Sequence, residues 1–464
     1  MTTVENRVVP PPRRLGPWSA FGLQASVVVF FLAGASAPTP LYATYQQEWH
    51  FSPITTTVIF GVYAVAVLLA LLVVGSLSDH VGRRPVIFGS LAVQTAAVMV
   101  FAGADGVPAL LCARILQGLA TGTVMGAVGA GMIDIRRSAG TLANAVTPAA
   151  GTAVGALGSG LLVAYAPQPT RLVYHLLLCL YVLQAVGVVL MAETAARAPG
   201  ALRSLRVTWT VPAQARGPLL RVAPVVLAVW ALAGFYGSLG PALVRRVVTG
   251  EGALLGGLAL FTLTACGALT VLVLRSAAPG TTMQVGTVAL IAGVALTLMA
   301  IAVGSAVLFF TGTAVAGVGF GAGFQGGVRT VIPLAEPHQR SGLLSVMYVI
   351  SYLGFGLPTV AAGVIVVYGG GVARAAYAYG IAVMLLALLA LISTFQSSRT
   401  SSPAVPEAVP KAVPQAAPEA VPGRAPGGDV AVDVCADACR AAGPSGHGPT
   451  PKVGTLAFEG DEPR

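Results

Sequence analysis

Twelve long apolar runs divide the chain, with short polar interruptions between them. They lie near residues 18–42, 54–77, 85–103, 107–133, 141–165, 172–191, 222–244, 254–274, 285–303, 306–333, 341–368 and 372–396. Each is long enough to cross the hydrocarbon core of a bilayer, which takes about 20 helical residues. The runs are apolar at consecutive positions, so they predict helices; a spanning barrel would show segments of about ten residues with alternating polarity. In lipid only these two structures satisfy every backbone polar group. The pattern predicts an all-α membrane protein with twelve transmembrane helices in two six-helix, pseudo-repeated halves.

The longest interruption separates the sixth run from the seventh. Between Glu193 and Arg221 it carries five arginines and three prolines, too polar to span and too short to fold alone. The expected organisation is an N-terminal segment 1–17, a six-helix half 18–192, a central loop 193–221, a second half 222–396 and a tail 397–464. In the tail Pro406, Pro410, Pro414, Pro418 and Pro422 recur at four-residue spacing, which predicts an extended, disordered linker. The halves resemble one another: Arg137-Ser138-Ala139-Gly140 precedes the fifth run and Arg340-Ser341-Gly342 the eleventh, and GLATG at 118–122 pairs with GVGFG at 317–321. Matching runs point the same way, so the repeat is parallel and its site is expected between the halves near the midplane.

Composition excludes a water-soluble body. Charged residues make up 9% of the chain and apolar ones 56%, against about 25% charged in a typical soluble domain. The formal charge of +10 would suit nucleic acid if it were clustered, but its distribution orients the helices instead. With the N-terminus inside, sixteen arginines fall on cytoplasmic segments and only Arg171, Arg245, Arg246 and Arg374 outside, the asymmetry of short cytoplasmic loops. Both termini are expected in the cytoplasm and the chain in the cell membrane. The first run ends in Ala35-Ser36-Ala37, as a signal peptide does, yet it is longer than a signal core and is expected to be retained. Cys112, Cys179 and Cys266 lie within runs as small apolar residues, and Cys435 and Cys439 form C-x3-C without a histidine pair, so no metal site is expected.

The stretch GSLSDHVGRRP, from Gly75 to Pro85, packs an acid and two arginines between apolar runs. Gly75 permits close helix approach, Asp79 can accept hydrogen bonds at a helix end, Gly82 allows a tight turn, and Arg83 and Arg84 hold the turn inside. Such a cluster can bias a gate with two arrangements, or simply fix topology. The stretch resembles the loop signature between the second and third helices of the major facilitator superfamily, with His80 where that family usually has a basic residue. The resemblance covers residues 18 to 396 and implies a cytoplasmic gate formed by Gly75, Asp79, Gly82, Arg83 and Arg84. The matching loop RSAAPGTTM from Arg275 lacks the acid, so the gate is expected to be asymmetric.

Arg114 lies at membrane depth in the fourth run, where an ionisable group must face the bundle interior or snorkel to the surface. LLCARILQGLATG resembles the family's fourth-helix pattern, which implies a coupling role for Arg114, Gln117 and Gly118 in relatives that exchange drugs for protons. Asp105 or Glu48 at the outer mouth is the candidate proton acceptor, with His175 near one end of the sixth run a weaker one, because no carboxylate lies within a run. Gly151, Gly155 and Gly160 resemble the glycine-rich fifth-helix motif of antiporters, although Ala156 and Ser159 replace a proline and a glycine; close packing explains the same spacing. Tyr42, Tyr63, Asn144, Tyr236, Gln325, Tyr348 and Tyr352 supply polar or aromatic groups suited to a mostly apolar ligand, or to packing between helices.

Lysine is absent before Lys411, so the body holds no G-x4-G-K-[ST] phosphate loop and no nucleotide engine. The five histidines are dispersed, with no metalloenzyme pair and no nucleophile and base constellation. The expectation is a monomeric, gradient-driven transporter, with no cofactor and no enzymatic activity. It would export a small apolar or amphipathic compound, with protons as the coupling ion. An importer or facilitator of a metabolite, and a receptor with a signalling tail, are the alternatives.

Overall fold

Proline sets where many of the helices begin. Pro17, Pro53, Pro169 and Pro279 each occupy the first turn of a long helix, where a missing N–H costs no hydrogen bond. The computed structural model describes residues 14–205, 211–248, 253–336 and 339–400. Within them twelve helices are long and apolar enough to cross a membrane. These spans, numbered first to twelfth, are Pro17–Trp49, Pro53–Val74, Arg83–Ala102, Val107–Ile135, Arg137–Tyr165, Pro169–Leu190, Ala213–Ser238, Leu254–Ser276, Pro279–Val303, Ala306–Leu334, Arg340–Tyr368 and Gly371–Ser393. No strand occurs among the described residues. The N-terminal residues 1–13, the proline repeat of the tail and the Cys435 and Cys439 pair lie outside the described residues.

Two spans depart most from the hydropathy boundaries. The first continues to Trp49 as two helical pieces, Pro17–Ser36 and Pro38–Trp49, joined through Ala37. Pro38 and Pro40 remove two N–H donors, which bends the helix without ending it and frees the carbonyls of Gly34 and Ser36. The seventh starts at Ala213 instead of 222. Its opening turns expose Gln214, Arg216 and Arg221 while burying Ala215 and Leu219, and a mixed surface of this kind escapes a count of apolar residues. At its other end the chain turns at Leu239 into a short helix, Gly240–Val247.

Packing repeats between the halves. The second span lies against the fourth, the third against the fourth and sixth, and the first against the fifth. The eighth lies against the tenth, the ninth against the tenth and twelfth, and the seventh against the eleventh. Adding six to each member of the first set yields the second, as a parallel repeat requires. Across the halves the fifth span packs on the eighth and the second on the eleventh, and the same operation exchanges these two pairs. One core gathers Phe31, Leu41, Ile59, Leu91, Leu110 and Tyr181; the other gathers Val229, Leu232, Leu263, Leu290, Phe309 and Val383. Leu69, Met99, Ile115, Leu183, Leu269 and Leu385 are exposed, an apolar exterior that suits lipid tails as solvent.

The glycine contacts that cross the seam lie at the end of the bundle away from the Gly75–Arg84 turn. A methyl group at Gly61 would stand 3.1 Å from Val360, and one at Gly356 3.6 Å from Ala64. One at Gly257 would run into the Ala156 carbonyl, and one at Gly363 into Thr57. Small residues here let the backbones of the two halves approach closely.

Candidate functional site

The kink in the first span creates the acceptors that hold Arg114. Without the N–H of Pro38, the Gly34 carbonyl lacks its helical donor; the Gln117 side-chain amide supplies one at 3.1 Å. Gln117 in turn accepts from Arg114 Nη1 at 2.7 Å. Arg114 Nη1 also donates to the Ala35 carbonyl at 2.8 Å, and its Nε and Nη2 donate to the Tyr42 hydroxyl at 3.0 and 2.9 Å. The guanidinium carbon lies 5.2 to 5.8 Å from the ring centroids of Tyr42, Phe60, Tyr63 and Phe101. The side chain is 0% exposed, so it faces the interior and does not snorkel. Its hydrogen-bond partners are hydroxyl and carbonyl oxygens and its neighbours aromatic rings, with no carboxylate among them, so neutral groups compensate this buried cation. Gly118 brings the fourth span onto the second, since a methyl group there would stand 2.6 Å from Ala66. Asp105 and Glu48 are exposed, and neither is a hydrogen-bond partner of Arg114.

The Gly75–Arg84 turn is built by neighbours the motif does not contain. Arg83 is 8% exposed and reaches Asp79 at 2.5 Å, Asp134 at 3.3 Å and the Ser78 hydroxyl at 2.7 Å. Its pair with Asp79 is half open to solvent, which limits that pair to about 0.2–1 kcal/mol. Gly82 has φ +104 and a side chain there would meet the Glu193 carboxylate, so this position favours glycine twice over. Glu193 accepts from the backbone N–H groups of Arg83 and Arg84 at 2.7 and 3.1 Å, an anion placed on the positive end of the third span. Arg84 donates to the Val189 carbonyl. Gly75 backs onto Gly126 of the fourth span, where a methyl group would stand 2.8 Å from the Gly75 carbonyl. Asp134 and Glu193 escape a motif search because they lie far from the turn in sequence; their shared position at the turn end of the fourth and sixth spans is the signal that unites them. The turn also holds part of the central loop, through Ser76 to the Ser204 carbonyl at 2.9 Å and Ala198 to the His80 carbonyl at 2.9 Å. In the second half, Arg329 donates to the carbonyls of Leu274 and Ala277 at 3.3 and 2.8 Å instead of meeting an acid.

The remaining candidates divide between seam and cores. Gly151 and Gly155 seat the fifth span on the first, whereas Gly160 faces Leu254 and Gly257 across the seam. Tyr63, Tyr348 and Tyr352 lie on the second and eleventh spans, which meet at the seam. Tyr236 is completely buried inside the second half, bonded to Thr297 at 2.8 Å and Thr313 at 3.1 Å. Asn144 ties the fifth span to the Gly129 carbonyl at 2.9 Å, and Gln325 ties the tenth to the Val271 carbonyl at 3.4 Å. Trp230, Phe324 and Phe355 have no place among the sequence candidates, yet they join Tyr352 in one cluster, with centroids 5.1 to 6.4 Å from the Trp230 ring.

Two six-helix repeats meeting along a seam, with a buried cation beside it and an ion-paired turn at one end, define a two-lobed membrane carrier. The chain belongs to the Major Facilitator Superfamily, whose model matches residues 25–300. No curated protein matches the sequence. Among solved structures the fold is similar to a bacterial homolog of the human lysosomal transporter Spinster in an inward-facing, unoccupied conformation, with 12% identity, TM-score 0.63 and coverage of 83% of this chain and 97% of that one. It is also similar to the nucleoside transporter NupG, with 12% identity, TM-score 0.60 and coverage of 82% and 100%. The human organic anion transporter MFSD10 aligns with 16% identity, TM-score 0.59 and coverage of 81% and 100%. The protein is a multi-pass membrane transporter and not an enzyme.

Proposed function

We propose that this transporter exports a small apolar or amphipathic compound from the cell in exchange for protons, by rocking its halves about the seam. The observation that carries the reading is Arg114, a cation at membrane depth held by neutral groups alone. Such a charge is expensive to bury, and a protein retains it where it acts. Glu48 and Asp105, exposed at the end away from the turn, are the proposed proton acceptors. Tyr45 and Tyr174, whose hydroxyls are bonded at 3.2 Å, and then Tyr42 lead from that end towards Arg114. Asp79, Arg83, Asp134 and Glu193 would latch the opposite end, exchanging contacts as the halves move.

Purified protein in vesicles tests this directly. Export-oriented movement of an amphipathic probe should follow an imposed pH gradient and generate a matching proton flux. Arg114→Ala should abolish the exchange without lowering the amount of protein in the membrane. Probe movement that survives collapse of the gradient would refute proton coupling, and driven uptake would reverse the assigned direction.

A further inference from the structure

The indole N–H of Trp230, near the seam, is buried and has no hydrogen-bond partner. An orphaned buried donor is costly, of order 1–3 kcal/mol, and calls for an occupant. Its surroundings narrow what that occupant is. Trp230 lies well inside the seventh span and is half-buried, with Phe324 at 5.7 Å, Tyr352 at 5.1 Å and Phe355 at 6.4 Å between ring centroids. Phe355 reaches across the seam to Phe60 at 6.5 Å. The cluster therefore draws on both lobes near the middle of the membrane, where a parallel-repeat carrier is expected to hold its substrate.

Aromatic surroundings could hold a cation, but the electrostatics here oppose one. Phe60 and Tyr63 already lie 5.4 and 5.2 Å from the Arg114 guanidinium. No aspartate or glutamate lies in the interior of any span to balance a second positive charge, and an unbalanced charge at this depth is strongly disfavoured. A neutral or anionic ring system meets no such penalty, and rings pack on rings by offset or edge contacts. We infer that the cluster around Trp230 is the substrate site, and that it selects flat aromatic compounds that carry a hydrogen-bond acceptor and no positive charge. The inference rests on the transporter reading and specifies its substrate class.

Quinoline, naphthalene and N-methylquinolinium have similar shape and differ in acceptor and charge. Their binding to the full-length protein in nanodiscs should be measured by equilibrium dialysis, and contact with the indole by fluorescence in a variant whose other tryptophans, Trp18, Trp49 and Trp209, are phenylalanine. Quinoline should quench Trp230, and N-methylquinolinium should bind at least tenfold more weakly. Trp230→Phe keeps a ring but removes the donor; it should weaken quinoline about tenfold, the worth of one hydrogen bond, and leave naphthalene unchanged, which also reports intact folding. Phe355→Leu should weaken quinoline and naphthalene together. The inference is overturned if quinoline leaves Trp230 unquenched, if Trp230→Phe binds it as tightly as the parent because water alone satisfies the indole, or if the cation binds best. Any of these results alongside pH-driven transport of another compound would sink the substrate class and leave the transporter standing. Vesicles that move no compound would refute the function itself.

Discussion

Arg114 illustrates how one residue can be legible in type but not in partners. Its position in an apolar run required an interior location, because a charge facing lipid is costly. Its acceptors depend on a proline bend more than 70 residues away in sequence, which exposes the Gly34 carbonyl to Gln117 and brings Tyr42 and the Ala35 carbonyl within reach. The guanidinium makes four hydrogen bonds, two from Nε and Nη2 to the Tyr42 hydroxyl and two from Nη1 to the Ala35 carbonyl and Gln117, a planar fork that an ammonium cannot reproduce. Arg114→Lys keeps the charge, yet it should orphan at least one of those acceptors and destabilise the protein by about 1–3 kcal/mol. The expected result is a lower unfolding temperature in detergent together with slowed exchange; an unchanged melting curve would mean that the hydrogen bonds contribute little. Tyr236 teaches the converse. Its polar group was readable, but its burial against Thr297 and Thr313 depends on which face of the seventh span turns inwards.

At the scale of the element, the third span shows a cap supplied from a distance. Its first residues are Arg83 and Arg84, and no side chain within the helix or immediately before it caps the N-terminus. Glu193, just beyond the sixth span, takes both leading N–H groups. Glu193→Ala should cost roughly 0.5–2 kcal/mol, the range for a lost N-terminal cap. Hydrogen exchange should accelerate in the first turn of the third span, with exchange in the tenth span unaffected as the control. Glu193→Asp, one methylene shorter, should recover only part of that protection. The elements themselves were legible because apolar length alone marks a span. The seventh was misplaced by nine residues at its start, since its opening turns are amphipathic and lie where polar side chains can face water.

For the whole molecule, the seam is the part that has to move. Glycines at the end away from the turn bring the second and eleventh spans close, glycine against side chain, and the fifth and eighth into backbone contact. Cysteines at Gly61 and Val360, in a protein with its own cysteines replaced, should cross-link on oxidation and stop transport, with activity restored by a reductant. Failure to cross-link would show that the halves are apart at this end in the resting protein. Gly257→Val should act oppositely, because the added side chain collides with the Ala156 carbonyl. It should raise thiol labelling of a cysteine placed at Ala64 and suppress cross-seam oxidation; unchanged labelling would show that the contact does not govern closure.

The twelve spans, their helical type and the doubled plan are properties of the sequence itself. Each follows from local quantities: apolar length, glycine and proline position, and the recurrence of short patterns one half later. The motif at Gly75 to Pro85 and the depth of Arg114 were equally local. Tertiary structure decided which groups meet: Asp134 and Glu193 with the turn, Gln117 with a proline-freed carbonyl, and Trp230 with rings from the tenth and eleventh spans. Contacts of this kind depend on how each helix is rotated and on which helices become neighbours. In lipid, apolar residues suit either the core or the membrane face, so hydropathy carries little information about that rotation.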